Sequence, residues 1–342
     1  MNLPLTHTQA QGVSIVIVTY NGRDRLAVTL EHLAQQTDLD FMCELLVIDN
    51  NSDDGTADFV RAHWAALKEP YPLRIQYEHQ AGTMYARETG IALAQYRYLL
   101  FCDDDNWLPP EYVSIAFRLI SQHAQIAAVG GKGIITYASD FEVPTWMCER
   151  YERSYGCGAQ GKADGDTTHD KGCLYTAGAI FDRVWLDRLY RLGFKTSLKG
   201  RDGQSLVAGE DTELTMALIL IGGQLHYSSA LHFKHYMPSG RIQWDYLKRL
   251  WFAFGQSNYV LEPYYRGGYS NKIITYYKIL VTTFLRFVYH SFNINIRGYK
   301  EGDQNLLLYV QLKGCLYALL FRQRQYIRAK TTVHELKEKS HV

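Results

Sequence analysis

The 342-residue sequence holds six cysteines and no CxxC pair: Cys43, Cys102, Cys148, Cys157, Cys173 and Cys315 are scattered along it. That spacing argues against a zinc cluster, and two of the six sit within apolar strand-like runs, so reduced thiols in a cytoplasmic protein are expected. The chain also lacks the roughly 18 uninterrupted apolar residues that a membrane-spanning helix needs. Lys278 and Arg286 break up Ile273 to Phe287, and Lys313 breaks up Leu306 to Phe321. The first dozen residues have neither a basic start nor an apolar core, so no signal peptide is expected. There is no internal repeat, and Gly130-Gly131-Lys132-Gly133 lacks the spacing of a phosphate-binding P-loop and reads as a turn. Net charge is only +1, and no nucleic-acid partner is expected.

The charge is unevenly spread. From Tyr264 onward there are thirteen Lys or Arg against four Asp or Glu, so the tail is basic and the rest net acidic. The two interrupted apolar stretches in that tail fit interfacial helices drawn to anionic lipid, and equally amphipathic helices packed on the protein body or on a second copy in a homodimer.

What is present is an alternation of apolar strands and amphipathic helices. Val13 to Thr19 is a β-branched strand buried on both faces, followed by Asn21-Gly22 and a helix from about Arg25 to Gln36. Glu44 to Ile48 repeats the pattern and ends in the polar turn Asp49 to Gly55, before a helix over 56–68. A strand over 73–78, a helix over 85–95 and a strand over 98–102 complete three alternations. These predict a doubly wound, mostly parallel α/β sheet. Residues 138–172, with Trp146 and weak periodicity, read as a long functional loop. Later come a helix over 184–192, an acidic helix start at Gly209-Glu210-Asp211-Thr212-Glu213, and a strand over 224–230 followed by His232 and His235.

The most telling stretch is Tyr98-Leu-Leu-Phe-Cys-Asp-Asp-Asp-Asn-Trp107. A buried strand delivers Asp103, Asp104 and Asp105 to one point, and Pro109-Pro110 then opens a new helix. Adjacent ionised carboxylates raise one another's pKa unless a cation lies between them, so the strand end asks for a divalent metal with oxygen ligands. Ligands in open α/β sheets bind at such strand ends.

Taken in order, Ser14 to Asn21, Leu46 to Thr56, Ala86-Arg87-Glu-Thr-Gly90, the Asp triplet and Gly209-Glu210-Asp211 resemble family 2 glycosyltransferases of the GT-A fold. The resemblance covers roughly residues 13–255. It implies a Rossmann-like, mostly parallel sheet flanked by helices, here with a C-terminal helical extension. A nucleotide-sugar-binding half would span 13–133 and an acceptor-binding, catalytic-base half 134–260, between a flexible tail at 1–12 and a basic helical region at 261–342. The donor it implies is a nucleotide-diphosphate sugar. Thr19, Tyr20 and Asn21 would line the base pocket, Asp49 or Asn50 would contact the base, and Arg87 would meet base or diphosphate. Asp104 would lie near the ribose and Asp105 on Mg²⁺ or Mn²⁺, with Asp103 supporting either. Many relatives carry two acidic residues where this chain has Asp49-Asn50, which leaves the bound base open.

The same resemblance makes Asp211 the base that takes a proton from a glycan or lipid-linked glycan acceptor. Its position at a helix start would hold it ionised, with Glu210 orienting the acceptor or a neighbouring group. His235 would complete the metal's coordination, with His232 on the opposite strand face. Arg201 to Gly203 and Trp146 are acceptor-side candidates, whereas Trp244, Tyr246 and Trp251 read as core. The implied enzyme is an inverting, metal-dependent glycosyltransferase, and the basic tail adds the expectation of a cytoplasmic protein peripheral on the inner face of a plasma membrane. The competing readings are a sugar nucleotidyltransferase and a catalytically silent nucleotide-sugar or glycan-binding protein.

Overall fold

The structure, a computed structural model, describes residues 10–203, 205–267 and 272–340. Most of the tail expected at 1–12 lies outside them, and β1 already begins at Ala10.

The first half alternates as its periodicity predicts. β1 (Ala10–Thr19), α1 (Arg23–Ala34), β2 (Met42–Asp49), α2 (Thr56–Ala66), β3 (Leu73–Tyr77), α3 (Thr83–Leu93) and β4 (Tyr96–Asp103) follow one another, and β1 pairs in parallel with both β2 and β4. Successive strand residues feed opposite cores. Val13, Ile15 and Ile17 pack with Leu45, Val47 and Leu100 against α1, α2 and α4 (Tyr112–Ile120). Val16 joins Leu46, Ile48 and Phe101 against α3 and two later helices, α6 (Arg183–Arg191) and α7 (Glu210–Leu220). Strands buried on both faces therefore read as continuous apolar runs.

The sheet continues with β5 (Asn106–Trp107), β6 (Ile126–Tyr137), β7 (Gly165–Asp166), β8 (Ile180–Asp182) and β9 (Gln224–Met237), in the order β3-β2-β1-β4-β8-β6-β9-β5 with β7 beside β9. β8 runs antiparallel to β4 and β6, while β6 and β9 pair in parallel. The whole is a mostly parallel α/β sheet, followed by α8 (Trp244–Tyr265), α9 (Lys272–Arg297), α10 (Gln304–Phe321) and α11 (Gln323–Ser340).

Four expectations need correction. Gly130 to Gly133 is not a turn but the middle of β6, where the glycines admit the neighbouring strand: a Cβ on Gly131 would lie 1.9 Å from the Leu231 carbonyl oxygen. Pro109-Pro110 does not fill the first turn of a helix: the prolines form the turn just before α4, which begins at Tyr112 after its cap residue Glu111. Residues 138–172 are not wholly loop: a short helix, α5 (Glu149–Glu152), precedes buried Tyr155, and Tyr151 and Tyr155 pack against α8. The last strand runs past Ala230 to Met237, carrying His235 with it.

Trp146 packs edge-on against Trp244, so this acceptor-side candidate belongs to an aromatic cluster. Trp244 is buried, and Tyr246 stacks on Tyr155, as core residues do. α8 and α10 cross at two glycines. A Cβ on Gly255 would lie 2.0 Å from the Gln311 carbonyl oxygen, and one on Gly314 as close to that of Phe252.

Candidate active site

Parallel pairing sets Thr19 opposite Asp49 and Val18 opposite Asp103, so β1, β2 and β4 end together. The loops leaving these ends are tied to each other. Asn21, at φ 47°, donates from its backbone to Ser52 Oγ and accepts from the Asp53 backbone at 3.0 Å. Gly22 has no room for a side chain, since a Cβ would meet Thr19 Oγ1 at 2.0 Å. Tyr20 is 47% exposed beside the loop that carries Gly203. Asp49 accepts from the Ser52 backbone at 2.8 Å. Asn50 uses its whole amide within the protein: it donates to the carbonyls of Glu78 and Gln80 and accepts from the Gly82 backbone. In this arrangement Asn50 fixes the β3–α3 turn rather than offering its donors to a base.

The three aspartates lie in different surroundings. Asp104 is gripped by Arg25, with bonds of 3.0 and 2.7 Å to its two oxygens, and accepts from Thr19 Oγ1 at 2.7 Å. Asp105 is buried, with Oδ1 3.2 Å from His235 Nε2 and Oδ2 3.0 Å from Arg241. Burial would raise its pKa, but His235 and Arg241 hold it well below the usual carboxylate range. His235 is raised in turn, because Asp105 outweighs the cost of burial. Cys157 Sγ lies 3.6 Å from the other ring nitrogen, Nδ1. His232, on the opposite strand face, is exposed. Asp103 is half-buried and raised, mainly by burial and despite the pull of Arg87.

Arg87 joins the two acidic motifs. It is buried on α3 and donates to Glu210 Oε1 at 2.9 Å, at the first turn of α7. Burial disfavours its charge, yet Glu210, Asp103 and Asp211 together raise its pKa. Arg87, expected at the base or diphosphate, here makes a buried ion pair with Glu210. Glu210 likewise faces Arg87, and its second oxygen is buried without a partner among the described residues. Asp211 is half-buried, and burial beside Glu210 raises its carboxyl to about 6, with Arg87 and Lys171 opposing. The helix start does not hold it fully ionised as expected, because desolvation and a neighbouring carboxylate outweigh the dipole.

Glu213, one turn on, is fully buried and accepts from the backbones of Ser197 and Leu198, from Thr196 and from Tyr264. It anchors the segment that crosses to α3, where the Lys199 and Arg201 carbonyls accept from the Met84 and Thr83 backbones. The Arg201 backbone thus braces the start of α3.

Sequence reasoning missed Arg25, Arg241 and Lys171. Arg25 had a signal, a cation in the first turn after β1; Arg241, far along the chain from the aspartates, had none.

The family model described as "Glycosyl transferase family 2" matches residues 14–185, half of the chain and all of the acidic strand. The chain belongs to that family. Among curated relatives, chondroitin synthase of Escherichia coli is 31% identical over 124 residues, 36% of this chain and 18% of the relative. The Escherichia coli UDP-Glc:alpha-D-GlcNAc-diphosphoundecaprenol beta-1,3-glucosyltransferase WfaP is 31% identical over 97 residues, 28% of this chain and 36% of the relative. The similarity thus spans well under half of either relative. A solved structure of the mannosyltransferase PcManGT from Pyrobaculum calidifontis, in complex with GDP-Man and Mn²⁺, aligns with TM-score 0.50 at 15% identity over 95% of this chain and 74% of that one. That likeness concerns the fold.

Proposed function

We propose that the protein is an inverting, metal-dependent glycosyltransferase that moves one sugar from a nucleotide-diphosphate sugar to a hydroxyl of a glycan, free or lipid-linked. The observation that carries this reading is the convergence of both acidic motifs on buried Arg87, with a carboxyl near pKa 6 on one side and the Asp triplet on the other. A silent binding module has no need of such a base. The curated names of family relatives, a chondroitin synthase and a glucosyltransferase, agree with sugar transfer.

The residues present fit a divalent cation. A buried carboxylate oxygen and a ring nitrogen 3.2 Å apart, Asp105 and His235, would suit Mg²⁺ or Mn²⁺ once the cation takes the place of the proton that Asp105 holds on His235. Among the described residues no group of three or more His, Cys, Asp or Glu surrounds one point, so the remaining ligands would be oxygens of diphosphate and water. Bound there, the cation would supply Lewis-acid neutralisation of charge on the departing nucleotide diphosphate.

The protein's own groups do the rest. Thr19, Tyr20 and Asn21, with Asp49 below them, border the nucleoside side at the ends of β1 and β2. Arg25 holds Asp104 by both oxygens, so that a ribose hydroxyl meets a fixed acceptor. Asp103 supports Asp104 on the ribose side or Asp105 on the metal side, and His235 and Arg241 keep Asp105 ionised. Asp211 accepts the proton of the acceptor hydroxyl as that oxygen attacks the anomeric carbon from the face opposite the diphosphate, which inverts the centre. Burial, with Glu210 and Arg87 acting in opposite directions, sets the proton affinity of Asp211.

A panel of uridine, guanosine and thymidine diphosphate sugars with Mn²⁺, scored by nucleotide diphosphate release, tests the reading. Turnover with one donor that Asp211→Asn abolishes while donor affinity persists is the expected result. Silence across the panel refutes it.

A further inference from the structure

α9 is apolar on both sides. Its inner face packs on the protein: Thr283 and His290 are buried, and Phe287 stacks on Tyr309 of α10. On its outer face Tyr277, Val281, Leu285, Val288, Phe292 and Ile296 recur every three or four residues, each between 48% and 65% exposed. That spacing draws one stripe about 29 Å long at the helical rise per residue. Monomeric proteins seldom leave so large an apolar strip in water. α10 runs antiparallel beside it, as Thr283 against Cys315 and Phe287 against Tyr309 require, and Leu320 and Phe321 at the end of α10 are exposed as well.

Charge identifies what covers the stripe. Exposed Lys278 and Arg286 lie on α9, exposed Lys313 and Arg324 on α10 and α11, and no Asp or Glu occurs anywhere from Lys272 to Arg297. A two-fold contact between copies would set this basic face against itself, whereas an anionic bilayer attracts it by about 1 kcal/mol per cation. No helix among the described residues is long and apolar enough to cross a membrane. We propose that α9 lies in the plane of an anionic lipid surface, with the stripe from Tyr277 to Ile296 in the headgroup and acyl boundary and its cations at the phosphates. The inference rests on this face alone and stands apart from the catalytic reading.

Co-sedimentation of the full chain with vesicles tests it, using phosphatidylcholine alone against equal parts phosphatidylcholine and phosphatidylglycerol. Binding is expected to the anionic vesicles and to weaken with salt. Leu285→Asn with Phe292→Asn, both at exposed positions, is expected to lower the partition coefficient on the order of 100-fold at unchanged circular dichroism. Lys278→Gln with Arg286→Gln is expected to lower it by roughly 25-fold. No binding to anionic vesicles, or binding untouched by either double variant, overturns the proposal. So does a dimer, seen by sedimentation velocity, that the apolar variant dissolves in a protein without vesicle affinity.

Discussion

Glu210→Gln isolates the electrostatic control of the candidate base. Asp211 sits near 6 because it is buried beside Glu210, with Arg87 and Lys171 opposing. Glutamine preserves the shape and can still accept from Arg87, but it removes the negative charge. A unit charge roughly 6 Å away, through an effective dielectric of about 20 to 40, is worth about 1.4 to 2.8 kcal/mol. One pKa unit corresponds to about 1.4 kcal/mol, and burial accounts for the largest part of the shift, so the Asp211 carboxyl should fall by about one unit. The base acts ionised, so transfer is lost as pH falls through the folded-state pKa. The acid limb of kcat/KM, near pH 6 in the unmodified protein, should move about one unit lower in Glu210→Gln. The substitution also leaves an unpartnered buried amide N–H₂ where Glu210 Oε2 now lies, at a cost of about 1 to 3 kcal/mol of stability by urea unfolding. The assay is nucleotide diphosphate release across pH with the acceptor varied. An acid limb that stays in place in Glu210→Gln, or an Asp211→Asn variant that keeps most of its turnover, refutes the reasoning.

Other substitutions probe separate parts of the molecule. Because the folded pKa of Asp211 is raised, the native state binds its proton more tightly than the unfolded chain, and stability falls as pH rises from about 4 to about 6. Asp211→Asn should therefore raise the thermal midpoint by a few degrees at pH 7 while lowering kcat by roughly 100-fold or more, and a lowered midpoint would contradict this. Asp105→Asn should abolish Mn²⁺ uptake measured by calorimetry with nucleotide present, and chelator treatment should stop turnover until Mn²⁺ is restored; uptake equal to that of the unmodified protein counts against the Asp105–His235 assignment. Glu213→Ala strips the acceptor from Ser197, Leu198, Thr196 and Tyr264, and a loss of about 3 to 5 kcal/mol in chemical denaturation is expected. Gly255→Ala puts a methyl into the Gln311 carbonyl, so α8 and α10 must part, and a loss of about 1 to 3 kcal/mol is expected by the same measurement.

Much of this molecule is written locally. The apolar runs Val13 to Thr19, Glu44 to Ile48 and Tyr98 to Cys102 specify strands buried on both faces, and the polar residues closing each mark the strand ends that come together. The motif at Gly209 is a helix start on any reading, since φ of 110° there suits glycine and three acidic residues follow. Where reasoning from local pattern failed, a distant partner was decisive. Gly130 to Gly133 resembles a turn until β9 is laid beside it, and the aromatic loop residues resemble a binding surface until α8 covers them.

The sequence by itself determined the alternating α/β order, the clustering of carboxylates at one strand end and the second acidic motif, because each depends on periodicity and near-neighbour chemistry. Only the tertiary structure decided which cation meets which carboxylate: Arg25 on Asp104, Arg241 and His235 on Asp105, Arg87 on Glu210. Those pairings join residues 79 to 136 positions apart. Electrostatic energy depends on separation in space and on shielding from water, neither of which is carried by position along the chain.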